Sequence, residues 1–307
     1  MTSPEVITTR IDSQRQIAER TFRLRAHAPH LARTCLPGQF AMVRLAGISY
    51  PLLGRQLAVY DVDPQTESVE FVYVVHGRFT QALAACDEGT SLGIVGPLGN
   101  GFAASPAEHL VLVAGGIGQT ALLALGREHT GHSSYGGRTV TRPENSRVTL
   151  FWGVRAAAAF GDVDRFTSAG IDVRLATLDG SSGFHGTVLD LLAHSFAGDD
   201  VAQSSRGGRS PAGAPPSVMV ACCGPEGMMS AVANWADSMG IPCHVSLETP
   251  MACGIGICFS CVAAVRDDAG GWDWRRTCIE GPVFDARAIE WNPDTAPAST
   301  SDCSMRH

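Results

Sequence analysis

Over the first hundred residues, hydrophobic positions alternate with polar ones in short runs cut by Pro, Gly and Asp. "TFRLRAHAP", "GQFAMVRL", "RQLAVYDVD", "SVEFVYVVHG" and "TSLGIVGPLG" each read as a strand, and several strands at this spacing predict a small antiparallel barrel over 1–104. The period changes at "AEHLVLVAGGIGQTALLAL", where a fully apolar strand, Leu110 to Ala114, meets a glycine turn and then a helix-like stretch. "RVTLFWGVR", "IDVRLATLDG" and "PSVMVACCGPEGMMSAVANWADSMG" continue the strand–turn–helix alternation, which predicts a parallel α/β domain over 105–245.

Two stretches, about 131–147 and 198–217, are rich in Gly, Ser, Arg and Pro without apolar period, and read as flexible surface insertions. Residues 246–291 carry most of the clustered cysteine and form a third, small unit. The tail 292–307 reads as disordered, with Cys303 incidental within it. The expected fold is therefore mixed: an antiparallel β-barrel, an α/β parallel-sheet nucleotide-binding domain and a small C-terminal cysteine-loop domain.

Composition narrows the function. At 307 residues the chain has room for two or three cores. A formal charge of −7, from 23 Lys and Arg against 30 Asp and Glu, argues against nucleic acid or an anionic membrane as the main partner. No apolar run approaches the roughly 18–20 residues of a membrane span. The opening "MTSPEVITTRIDSQRQ" lacks a basic stretch followed by an apolar one, so a secretory signal is not expected and the chain is expected in the cytoplasm. Thiols stay reduced there, and clustered cysteines then suggest metal or redox chemistry.

Four of the ten cysteines are spaced Cys253-x4-Cys258-x2-Cys261-x16-Cys278. Thiolates suit zinc or an iron–sulfur cluster. Structural zinc usually draws on two short knuckles. Here three ligands share one loop and the fourth arrives alone, which is the order of plant-type [2Fe–2S] ligation. Gly254 and Gly256 fit a loop whose N–H groups turn toward sulfur. A zinc site, in a non-redox binding module, remains the alternative.

Arg55 follows a glycine at a strand start, where its guanidinium fork suits a diphosphate. Gly77 and Thr80 lie where a strand opens into a helix, a place for an anion. A solvated arginine and a capping threonine are the plain alternatives. Gly115, Gly116 and Gly118 form a glycine turn short of a full dinucleotide fingerprint. With the second turn at Cys223, Gly224 and Pro225, they sit where an α/β sheet presents its carboxyl ends, and a nicotinamide site is expected there. Otherwise Cys223, Met228 and Met229 are core.

The succession "PGQFAMV", "GPLGNGF", "VAGGIG", "CGPEGMM", "MACGIGICFSC" and "CIEGPVF" resembles the ferredoxin–NADP reductase-type flavoproteins that carry a C-terminal [2Fe–2S] unit. Within them it looks most like the electron-transfer subunits of NAD-dependent, two-subunit dihydroorotate dehydrogenases, over about residues 5 to 291. The resemblance implies FAD, a [2Fe–2S] cluster and NAD. It implies a flavin motif on Arg55, Gln56, Leu57 and Ala58, a middle flavin segment on Val72, Tyr73 and Val74, and a Gly-Thr pair on Phe79 and Thr80. Gln56 stands where the family has proline, Ala58 where it has a hydroxyl, and Phe79 where it has glycine. The implied partner is an FMN-bearing catalytic subunit oxidising dihydroorotate for pyrimidine synthesis, in a heterotetramer of two of each. The small subunit of an NADPH-dependent ferredoxin reductase or sulfhydrogenase shares this architecture and stays open as an alternative.

Overall fold

The computed structural model describes residues 3–47, 53–197, 217–267 and 270–293. Six antiparallel strands close a barrel in the order β1-β2-β5-β4-β3-β6: β1 (Glu5–Ala18), β2 (Thr21–His27), β3 (Phe40–Leu45), β4 (Arg55–Asp63), β5 (Ser68–Val74) and β6 (Ser91–Leu98). Alternation sends Leu24, Leu57, Val59, Phe71, Tyr73, Leu92 and Ile94 into one core. Helices α1 (Pro29–Thr34) and α2 (Gly77–Ala84) cover it, with Leu31 and Leu83 buried. β1 has little apolar signal because only Ile11 along it is fully buried, yet it pairs with both β2 and β6 and so closes the barrel.

The second half comprises β7 (His109–Gly115), a 3₁₀ turn (Gly116–Ala121), α3 (Leu123–His129), β8 (Arg147–Val154), α4 (Val163–Thr167), β9 (Asp172–Thr177), β10 (Phe184–His185), α5 (Val188–Ala197), β11 (Val218–Cys223), α6 (Glu226–Ser238) and β12 (Cys243–Ser246). Then come the hairpin β13 (Val262–Arg266) and β14 (Trp272–Arg276), and β15 (Val283–Asp285). The main sheet runs β10-β9-β8-β7-β11-β12-β15 and is parallel except for β15. Thus the cysteine-bearing segment lends an antiparallel edge strand to its neighbour's sheet, a common ending for a parallel sheet. The strand order reverses between β7 and β11, where open α/β sheets bind ligands.

Barrel and sheet are joined by a shared core and by charge. Tyr60 and Val72 of the barrel pack with Leu112, Ala121 and Trp152. Asp61, 4% exposed, pairs with Arg127 of α3 and with Arg165 of α4 at 2.6 Å, and accepts a hydrogen bond from Tyr135 at 2.8 Å. Tyr135 belongs to the stretch read as a flexible insertion. That stretch is instead docked, since Arg138 also pairs with the buried Glu128 and donates to the Phe102 carbonyl. Its polar composition hid these contacts because Asp61 and the Phe102 carbonyl lie 74 and 36 residues from their partners. Residues 198–216 of the second insertion, and 294–307 of the tail with Cys303, lie outside the described residues. Among the described residues no helix is long and apolar enough to cross a membrane.

Candidate functional site

The cysteine loop lies against the barrel. Cys261 and Cys278 are buried in an apolar cluster with Phe40, Met42, Leu98 and Met251, while Cys253 is half-buried and Cys258 exposed. Among the described residues no three or more His, Cys, Asp or Glu side chains are grouped closely enough to hold a metal ion. Cys253 acts on the Cys258 thiol, and Cys261 and Cys253 both act on that of Cys278. The backbone N–H groups of Ser260 and Cys253 favour thiolate at Cys258, and that of Gly256 favours it at Cys278. The Ala252 N–H donates to Ser260 Oγ, and the Ser260 hydroxyl lies 3.1 Å from Cys258 Sγ, to which it donates when that sulfur is a thiolate. These donors, the hydroxyl foremost, push the Cys258 thiol down to about 6. A loop that stabilises thiolate and brings a hydroxyl within 3.1 Å of a cysteine sulfur fits an iron–sulfur cluster.

Gly256 has φ +81°, and a Cβ there would come within 1.8 Å of Ile279. The Arg276 guanidinium donates to the Gly256 carbonyl at 3.1 Å and lies 4.8 Å from the Phe259 ring centroid. Arg276 was not singled out from sequence, although its place two residues before Cys278 was the available signal. The scattered Cys35, Cys222 and Cys243 are buried, and burial pushes each thiol up, as expected of inert core cysteines.

Beside this loop is a cavity of about 420 Å³ between β4, β5 and the 3₁₀ turn. Gln56, Ala58, Val72 and Val74 line it, as strand alternation requires once Leu57 and Tyr73 turn into the barrel core. Leu57 and Tyr73 border the cavity, but their side chains serve the core, and Tyr73 Oη donates to Gln14 at 2.9 Å. Arg55 is exposed at its rim and, among the described residues, contacts only the Leu53 and Gly54 carbonyls. Gln56 Nε2 donates to the Thr249 carbonyl at 2.9 Å, which ties β4 to the segment leading into the cysteine loop.

Phe79 does not face the cavity. It is 1% exposed and packs inside the barrel, so its side chain takes no part in the site. Thr80 is not the N-cap weighed from sequence: it lies inside α2, whose N-cap is His76, and its Oγ accepts from the His76 N–H at 2.7 Å and donates back to the His76 carbonyl at 2.8 Å. Its edge still borders the cavity, whereas Gly77, which opens α2, does not.

A second crevice, about 630 Å³, opens at the carboxyl ends of β7, β8 and β11. Gly115, Gly116 and Pro225 line it, together with Trp152, Thr187 and Met228. Trp152 Nε1 donates to the Gly116 carbonyl at 2.8 Å and so holds the turn; a tryptophan at a strand's carboxyl end was the signal that could have found it. Gly118 and Gly224 serve close approach instead. A Cβ on Gly118 would meet the Cys223 carbonyl oxygen at 2.2 Å, and one on Gly224 would meet Gly115 Cα at 2.9 Å. Cys223 is buried, its sulfur 3.9 Å from Glu248 Oε1, and it lines the smaller cavity.

The three places are contiguous. Phe40 and Met251 belong both to the apolar cluster around Cys261 and Cys278 and to the 420 Å³ cavity wall. Val74 and Ile117 line both the cavity and the larger crevice.

Residues 248–290 match the family described as the iron–sulfur cluster binding domain of dihydroorotate dehydrogenase B. The chain is 30% identical over 276 residues to the "dihydroorotate dehydrogenase B (NAD(+)), electron transfer subunit" of Desulforamulus reducens, covering 90% of this chain and 94% of that one. It is 32% identical over 282 residues to the protein of the same name from Geobacillus kaustophilus, covering 91% and 96%. Among solved structures, an NADH-dependent reduced ferredoxin–NADP oxidoreductase studied for flavin-based electron bifurcation superposes with TM-score 0.70 at 26% identity, over 92% of this chain and 90% of that one. A ferredoxin–NADP reductase from Neisseria gonorrhoeae with bound FAD and NADP shares the fold, with TM-score 0.57 at 14% identity over 76% and 92%.

Proposed function

The chain belongs to the family of dihydroorotate dehydrogenase B electron transfer subunits, and from that premise we propose that it carries electrons from a dihydroorotate-oxidising partner subunit to NAD⁺. The observation that carries the reading is the contiguity of cysteine cluster, cavity and crevice through Phe40, Met251, Val74 and Ile117. Cys253, Cys258, Cys261 and Cys278 hold a [2Fe–2S] cluster. The cavity beside Ala58, Val72 and Val74 takes the ring system of FAD, with Arg55 at its diphosphate. The crevice at Gly115, Gly116 and Pro225 takes NAD. Flavin, when bound, supplies the conversion between single electrons and a hydride.

The chain's own residues do the positioning. Trp152 fixes the Gly116 turn, and Gly118 lets the two turns touch. Gln56 anchors the barrel to the cluster segment. Ser260 and the loop amides stabilise thiolate at Cys258. The partner is an FMN-bearing catalytic subunit, assembled two with two, working in a cytoplasm that keeps these thiols reduced.

Anaerobic purification followed by a visible spectrum, iron, sulfide and FAD analysis tests the cofactors. Co-expression with the partner and an assay of dihydroorotate-dependent NAD⁺ reduction tests the reaction. A colourless zinc protein would sink the redox reading. NADPH-dependent ferredoxin reduction without an orotate-forming partner would favour the ferredoxin reductase alternative.

A further inference from the structure

Glu248 stands where two cavities meet. It follows β12 and lines both the 420 Å³ cavity and an outer one of about 360 Å³ between α6 and the β13–β14 hairpin. Glu226, Trp274, Glu290 and Trp291 border the outer cavity. Glu248 is exposed to solvent, and the protein packed round its carboxyl still raises its pKa above the usual carboxylate range. Its Oε1 lies 3.9 Å from the Cys223 thiol, which burial keeps protonated.

Electrons that arrive singly through an iron–sulfur cluster bring no protons. A hydride leaving for NAD⁺ takes two electrons and one proton. One proton per hydride must therefore enter beside the flavin from the protein or its water. We propose that Glu248 relays this proton, drawing it from solvent through the outer cavity and passing it into the flavin cavity. Each transfer breaks one carboxyl O–H bond, and the carboxylate regains its proton from water before the next. The proposal rests on the FAD assignment made above.

The test uses the complete complex with Glu248→Gln and Glu248→Asp. Reduction by dihydroorotate through the partner needs the relayed proton, whereas reduction by NADH brings the proton within the hydride. Glu248→Gln should slow the first by about a hundredfold more than the second. Glu248→Asp should recover part of the difference. An infrared difference spectrum on reduction should show a protonated-carboxyl band in the parent that is absent in Glu248→Gln. Equal slowing of both arms, or a band that persists in Glu248→Gln, overturns the relay. A parent complex without FAD would instead overturn the cofactor assignment beneath it.

Discussion

Asn100 and Val283 exchange a pair of hydrogen bonds across the molecule: Nδ2 donates to the Val283 carbonyl at 2.8 Å, and Oδ1 accepts from the Val283 N–H at 2.9 Å. The Asn100 N–H also donates to the Gly281 carbonyl at 2.6 Å. "GPLGNGF" at the barrel's end thereby clamps "CIEGPVF" behind the fourth cysteine. Asn100→Ala should cost about 1–3 kcal/mol by leaving part-buried groups unpaired. Chemical denaturation would show the loss, and iron content should fall with it. A variant as stable as the parent would mean the clamp is incidental.

Cys278→Ser should abolish the iron–sulfur bands, whereas Cys303→Ser should leave them intact. Gly256→Ala should also lose iron, because its Cβ would press into Ile279 from a left-handed backbone. Iron and sulfide analysis decides; normal iron in Gly256→Ala would show that the loop tolerates another path.

Arg55 has carbonyl contacts only among the described residues, so its charge is available to a diphosphate. Arg55→Ala should weaken FAD binding by about 1.5–3 kcal/mol, the range of a charged hydrogen bond. Titration of the apoprotein with FAD measures it. Equal affinity in both proteins would make the residue merely solvated.

Gly118→Ala should force the two turns apart, because the added Cβ would overlap the Cys223 carbonyl oxygen. NAD binding, read by calorimetry, should weaken while iron content stays unchanged. If NAD affinity is kept, the turns do not form the nicotinamide site.

His109 is 2% exposed at the start of β7, 3.0 Å from Thr149 Oγ. Burial first, then the charges of Arg147, Arg174 and His129, push it down to about 3. The unfolded chain therefore binds a proton that the folded one refuses between about pH 6.5 and 3. Stability should be level with respect to this group above that window and fall as pH drops through it, by about 1.4 kcal/mol per pH unit. His109→Gln should flatten the slope, leaving the shares of His129 and His244, which burial also lowers. An unchanged slope in urea denaturation across this window would remove His109 as the source.

The sequence by itself determined the cysteine spacing, the barrel strands with one apolar face, and the strand–turn–helix rhythm of the α/β half. All three are local: ligand order, a period of two, and glycine at a turn are written within a few residues of one another. Tertiary structure alone decided the rest. β1 is a strand because two neighbours pair with it, although its own residues are mostly wet. Phe79 matches a motif position yet faces the barrel, since the turn of α2 sets its direction. Gly118 is glycine for the Cys223 carbonyl, a hundred residues away. Tyr135, in a stretch that looked flexible, is held by Asp61. Glu248 gains its place only because two cavities form around it. Contacts between distant segments depend on how layers pack, and packing leaves no period in the chain for a local reading to detect.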